Sequence, residues 1–350
     1  MKHPKAITLL LCAALLLGCI AGLTGCGGVS SEGYRIPIVC GETGMNDLCG
    51  VATYGVNYYN LGVKAGDMAA DILLDGADVS TLPVQLDLEP ALSVNTKVAE
   101  AIGFTIPDAV LAGAGGGGSL SVERADSAIV EKDGDFTVGI LQLVQHIALD
   151  QANKGFQDQL SVRMSAAGKT VTILDRNASN DQSNNITIAD QLVSQGVDLI
   201  YAIATSSSQA AASATAESGI PVLFCAVTNP VGEGLVQSME LPGGNVSGVS
   251  DLNPVARQIG LLGELFGRTD IKVGLLYTSA ETNSVYQIGL AIEACRENGF
   301  SYVEKGISDI NDIRAAFMSL SAEGVDAIYI PTDNTLANAC ATLYAINTGE

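Results

Sequence analysis

The sequence predicts an α/β protein of two lobes, each a parallel sheet flanked by helices. Three observations carry this prediction. From Phe136 onward, short β-branched runs alternate with helical periods, the pattern of strands linked by crossover helices. The composition is rich in Ala and Gly, with 16% charged residues and no Trp, as strands buried on both faces require. The 350 residues also favour two lobes over one domain.

The expected strands of the first set are Phe136 to Leu143, Val171 to Leu174, Leu199 to Ala204 and Pro221 to Val227, followed by Val246 to Val249. Lys272 to Tyr277 and Ala327 to Pro331 belong to a second set. Between them lie helical stretches: Ala148 to Ala167, Ile186 to Ser194, Ala210 to Ser218, Pro254 to Phe266, Ser284 to Asn298 and Ile310 to Ala322. Apolar residues three and four apart, as at Ile188, Leu192 and Val193, turn one helix face to a sheet. Such crossovers are right-handed, and ligands of these sheets collect at the carboxyl ends of the strands, beside helix N-termini.

Polar residues cluster at those ends. Gln142 to His146 follow the first strand, Thr205, Ser206 and Ser207 the third, and Thr228-Asn229 the fourth. Ser250-Asp251, Asn283-Ser284 and Thr332-Asp333-Asn334 close later strands. Hydroxyls, amides and carboxylates in this arrangement suit a small polar ligand, although each residue alone also fits a helix N-cap.

A charge of −21, from 38 acidic and 17 basic residues, argues against a nucleic-acid partner. Asp47, Asp67, Asp71 and Asp75 read as a solvated acidic surface, since no loop has calcium-ligand spacing. No metal or other cofactor is expected. The cysteines outside the first 26 residues, Cys40, Cys49, Cys225, Cys295 and Cys340, form no CxxC pair and read as small buried hydrophobes. A Cys40–Cys49 bridge across a turn is the less favoured alternative. With a single histidine outside the leader, His146, and no G-x-S-x-G elbow, the chain does not read as an enzyme.

The first 26 residues run from Lys2 and Lys5 through an apolar stretch, Ala6 to Leu17, to Leu23-Thr24-Gly25-Cys26. A basic start, an apolar run and small residues describe a secretory signal, and the cysteine resembles a bacterial lipobox. That resemblance implies cleavage before Cys26, lipidation of Cys26 and a body held outside the cell membrane. A transmembrane helix over the same stretch is the plainer alternative.

Several blocks together resemble the substrate-binding proteins of ABC importers, in the TrpX-like group associated with aromatic amino acids. They are Gln145 to Asp150 with Gly155-Phe156, Phe224 to Gly232, Gly248 to Asp251, Asn283 to Val285, and Ile330 to Thr335. Gly41 to Gly44 and Tyr54 to Gly62 complete the set. The resemblance implies a type I periplasmic-binding-protein fold and a ligand taken between the lobes and handed to an ABC permease. In the family the Gly41–Gly62 block comes last, and here it comes first. The chain therefore reads as circularly permuted, with the Gly/Ser run Ala114 to Ser119 as a flexible spacer joining the usual termini. As a phosphate-binding loop that run fails on context, with no strand before it and no GKS or GKT after it.

On this reading residues 1–25 are the signal, 26–33 a tether and 113–128 the linker. Residues 34–49, 82–112 and 252–350 form the second lobe, and 50–81 and 129–251 the first. Hinge crossings are expected near Leu48 to Val51, Asp78 to Leu82 and Ser250 to Pro254. For an amino acid, Asp251, Asp333 and Glu42 are the expected partners of the ammonium. Thr205, Ser206, Ser207, Thr228, Asn283 and Ser284 are the expected donors to the carboxylate, and Tyr54, Tyr277 and His146 could wall an aromatic ring. Gln142, Asn229, Ser250 and Asn334 complete the candidate site. A monomer is expected. A ligand-sensing ectodomain of the same fold, or a sugar or nucleoside as ligand, are the alternatives.

Overall fold

The computed structural model describes residues 33–87, 89–115 and 128–350. The expected signal, Cys26, most of the tether and most of the 113–128 linker lie outside the described residues. Three stretches of chain supply the elements. The front holds β1 (Ile38–Cys40), α1 (Thr43–Leu48), β2 (Ala52–Gly55), α2 (Tyr58–Asp75), β3 (Gln85–Leu86), β4 (Ala91–Val94), α3 (Thr96–Ile102) and α4 (Asp108–Gly113). The middle holds β5 (Ile129–Val130), β6 (Phe136–Gln142), α5 (Ile147–Ala166), β7 (Val171–Asn177), α6 (Gln182–Ser194), β8 (Leu199–Ile203), α7 (Thr205–Ala214), β9 (Val222–Cys225) and β10 (Val246–Ser250). The back holds α8 (Val255–Phe266), β11 (Lys272–Thr278), α9 (Thr282–Glu297), β12 (Ser301–Ile307), α10 (Ile313–Ala322), β13 (Ala327–Ile330), α11 (Asn334–Asn338) and α12 (Cys340–Thr348).

Two sheets result. One has seven strands in the order β3-β10-β9-β8-β6-β7-β5, all parallel. The other has six in the order β12-β11-β13-β1-β2-β4, parallel except that β4 runs antiparallel to β2. The strands expected from β-branched runs are present within a few residues of their predicted ends. β12 was not expected: Ser301–Ile307 is only partly buried and carries Glu304 and Lys305, so it lacks the apolar run of a central strand and sits at a sheet edge.

Sheet membership corrects two predicted lobe boundaries. Residues 52–55, expected in the first lobe, form β2 of the six-stranded sheet, where Val39 pairs with Ala52. Residues 85–86, expected in the second lobe, form β3 of the seven-stranded sheet, opposite Val249 and Ser250. The chain thus crosses between lobes at 55–57, at 86–91 and at 250–255, rather than at Leu48–Val51 or Asp78–Leu82. The error has a physical source, because an apolar stretch such as Val51 to Tyr54 pairs equally well in either sheet, and periodicity does not say which.

Each lobe has its own core. In the first, α2 and α5 cross on one face of the seven-stranded sheet, with Phe156 stacked 3.8 Å from Tyr201. Two glycines set this approach: a Cβ on Gly62 would lie 2.0 Å from the Ala152 carbonyl oxygen, and one on Gly155 2.1 Å from that of Tyr59. In the second, α8 and α9 cover one face of the six-stranded sheet, and α10 and α12 the other. No helix among the described residues is long and apolar enough to cross a membrane.

Candidate functional site

The carboxyl ends of the two sheets face each other, and a narrow cavity of about 10 Å3, room for little more than one water, lies between them. The first lobe contributes His146 and Leu149 after β6, Ala226 and Thr228 after β9, and Asp251 after β10. The second contributes Glu42 after β1, Asn283 at the start of α9, and Thr332, Asp333, Asn334 and Ala337 after β13. Tyr58 enters from the start of α2. This is the place where open α/β sheets collect ligands.

Local structure explains how each side chain is held. Glu42 caps α1, accepting from the amides of Gly44 and Met45. Asp333 caps α11 through the Leu336 amide (2.8 Å), and also accepts from the Thr278 amide (2.6 Å), the Thr278 hydroxyl (2.9 Å) and the Ser284 hydroxyl (2.9 Å). Asp251 accepts from the hydroxyls of Tyr58 (2.7 Å) and Thr228 (3.1 Å). Both Asp333 oxygens are therefore saturated, because a carboxylate offers about four acceptor sites. Asp251 retains free capacity and faces the cavity.

The electrostatics are one-sided. Glu42, Asp251 and Asp333 are each 1% exposed, and none of the residues lining the cavity is Lys or Arg. Burial pushes the carboxyls of Glu42 and Asp333 up to about 7, against the opposing pull of their backbone amides, and burial raises Asp251 as well. Burial also lowers His146, the one imidazole at the site. A cavity walled in this way favours a cationic group such as an ammonium.

Bonds also cross the cleft. His146 is the N-cap residue of α5 but makes no capping bond, and its Nε2 lies 3.3 Å from Oδ1 of Asn334 in the other lobe. The Asn180 amide donates to the Thr335 hydroxyl at 3.3 Å, and the Gln287 amide to the Thr228 hydroxyl at 3.5 Å. Glu281, not foreseen from sequence, orients the second-lobe side by accepting from the amides and side chains of both Asn334 and Thr335.

Of the predicted site residues, the cavity brings together Glu42, His146, Thr228, Asp251, Asn283, Asp333 and Asn334. Others serve their own lobe. Gln142 bonds Val144, Asp150 and Asn153; Asn229 closes a turn onto the Gly232 amide; Ser284 bonds Asp333; Ser250 bonds the Thr228 carbonyl. Thr205, Ser206 and Ser207 start α7, with Ser207 donating to Asn185 (2.8 Å), and do not line the cavity. Their strand, β8, nevertheless lies between β9 and β6, whose following loops do. Tyr54 stands in a separate groove with the Arg257 guanidinium 3.7 Å above its ring. Tyr58 is the principal residue that sequence reasoning missed, although it follows the end of β2; Thr332, noted at its strand end, joins the cavity beside Asp333. Among the described residues no three His, Cys, Asp or Glu side chains are placed to hold a metal.

Two lobes with a polar cavity between the carboxyl ends of their sheets define a binding protein that encloses its ligand. The family model for ABC transporter substrate binding proteins matches residues 28–116 and 137–349, and the chain belongs to that family, whose members work outside the cytoplasm. A tyrosine-binding protein of Clostridioides difficile is 41% identical over 202 residues, 58% of this chain. The chain spans 57% of that relative's length. A domain from Streptococcus pneumonia solved in complex with L-Trp is 34% identical, with a TM-score of 0.54 over 61% of this chain and 71% of that one. A conserved domain protein from Vibrio cholerae is 32% identical, with a TM-score of 0.55 over the same shares.

Proposed function

We propose that this protein is a lipid-anchored, monomeric solute-binding component of an ABC importer that takes an amino acid, aromatic by preference, and delivers it to a permease without bond chemistry. The observation that carries the ligand class is the buried triad of Glu42, Asp251 and Asp333 around a cavity without a basic side chain. Asp251, with acceptor capacity to spare, takes the ammonium, flanked by the hydroxyls of Tyr58 and Thr228. The tyrosine- and tryptophan-binding relatives favour an aromatic side chain. Closure of the lobes, held by contacts such as His146–Asn334, presents the shape that the permease recognises.

The reading includes the circular permutation. The family match falls in two blocks, 28–116 and 137–349, and the relatives cover 58–61% of this chain, a share about equal to that of the second block alone. Residues near the two ends meet: the Arg35 amide donates to the Asn347 carbonyl (2.8 Å), and Ile36 and Asn347 exchange two bonds. Termini that lie together tolerate such rearrangement.

Calorimetric titration of the mature protein with tyrosine, tryptophan, leucine, ribose and a nucleoside tests the ligand class. Saturable heat with an aromatic amino acid, lost in Asp251→Asn, is the expected result; binding of the sugar or nucleoside alone would overturn it. Co-purification with a permease rather than a sensor kinase separates transport from the ectodomain alternative.

A further inference from the structure

Cys49 and Cys340 are far apart in sequence and adjacent in space. Cys49 ends α1 near the front of the chain, Cys340 begins α12 near its back, and their sulfurs lie 3.5 Å apart across 291 positions. Both are buried, at 1% and 2% exposure, in the apolar core formed with Met45, Leu336 and Leu343. Cys40, at the end of β1, is also buried beside Cys49. To bond, the two sulfurs must close from 3.5 Å to the separation of about 2.05 Å in a disulfide.

We propose that Cys49 and Cys340 form a disulfide in the mature protein. The proposal rests on the extracytoplasmic setting of the family, where thiols oxidise, and not on any particular ligand. The oxidant is a low-molecular-weight or protein disulfide. The thiolate of one cysteine attacks it, releasing one thiol and leaving a mixed disulfide. The second cysteine then displaces the second thiol, so the protein pair loses two electrons and two protons and the donor disulfide gains them. In the folded core the thiols are shielded, and contact between the sulfurs together with burial holds the Cys340 thiol protonated, so the exchange belongs to folding, before α12 closes over α1.

The bond has a structural purpose in this chain. β1 is an interior strand of the six-stranded sheet, between β13 and β2, yet it comes from the opposite end of the sequence from β13. Cys49–Cys340 would fasten that front segment covalently to the back of the same lobe. A bridge closing so long a loop restricts the unfolded chain strongly.

The test is to refold the mature chain in a reduced/oxidised glutathione buffer, alkylate it under denaturing conditions without reductant, and map the peptides by mass spectrometry. The expected result is a linked pair of peptides containing Cys49 and Cys340, a mass 2 Da below the fully reduced chain, and a fall in Tm of at least about 5 °C on reduction, as loss of a structural bridge produces in proteins this large. Cys40→Ser should keep the cross-link and Cys340→Ser should lose it. Full alkylation of Cys49 and Cys340 after refolding, or a Cys40–Cys49 link in their place, would overturn the proposal. Neither outcome depends on which solute the cleft binds, so the mapping and the titration fail independently.

Discussion

The front segment, residues 33–115, serves the two sheets unequally. To the seven-stranded sheet it gives only β3, a two-residue exposed edge strand, and the helix α2 laid across α5. To the six-stranded sheet it gives β1 and β2 in the interior and β4 at the edge. Six consecutive strands of the first sheet come from residues 129–250 alone, whereas the second cannot be completed without residues from both ends of the chain. The difference teaches that contiguity in sequence is not what makes a lobe. Parallel pairing of apolar strands is indifferent to the order in which they are supplied, provided that the connections can reach.

The largest effect expected from this inequality is at β1. Val39→Asp places an unpaired charge at a fully buried position facing the Val51, Val273 and Tyr329 core, and should cost about 4 kcal/mol or more, read as a lost or strongly lowered transition in denaturant melts. Leu86→Ser in β3 changes an exposed edge position, and its expected cost is within about 0.5 kcal/mol. Equal losses at the two positions would erase the distinction between the sheets.

Next comes the docking of α2. Gly155→Val drives a side chain into the Tyr59 carbonyl, and overpacking there should destabilise the protein by about 3 kcal/mol, measured as a shift of the urea midpoint.

The two walls of the cleft differ in the same spirit, one carboxylate being structural and the other available. Asp333→Ala strands the Thr278 and Leu336 amides and should lower stability by roughly 2–3 kcal/mol. Asp251→Asn should leave stability within about 1 kcal/mol and weaken ligand binding at least about tenfold, since it exchanges a charge-assisted bond for a neutral one. Chemical denaturation and calorimetry on the same two variants would reverse the assignment if the effects were exchanged.

The smallest expected effect is a pH trend of the ligand-free protein. Glu42 titrates near 7 in the folded state against an ordinary value of 4.5, so between those limits the native chain keeps a proton that the unfolded chain has released. Asp333, also held near 7, acts in the same direction. Stability should therefore fall as pH rises from 5 to 7 and level off above, and Glu42→Gln should flatten the slope in thermal melts. A Tm that rises over this range would show that neither carboxyl is held protonated by the fold.

The periodicity of the middle and back of the chain made most strands and helices legible. The strand-end rule found seven of the residues that line the cavity, among them Asp251 and Asn283. It over-reached at Gln142 and Ser284, because a polar residue at a strand end can turn along its own lobe to a neighbour such as Asn153 or Asp333. The search for an aromatic wall placed Tyr54 in the site although Arg257 claims that ring, and Tyr58 was passed over although its hydroxyl meets Asp251. Side-chain direction separates these cases, and spacing does not encode it.

By itself the sequence determined the α/β class, the ring of polar strand ends and the acidic balance, because each depends on local pattern or composition. Only the tertiary structure decided that β2 and β3 exchange lobes relative to expectation, that Asp333 is saturated while Asp251 is not, and that Cys49 lies against Cys340 rather than being paired by proximity in sequence. Those outcomes turn on which surfaces meet after the chain has returned on itself. Sequence separation carries no information about contacts made across 291 positions.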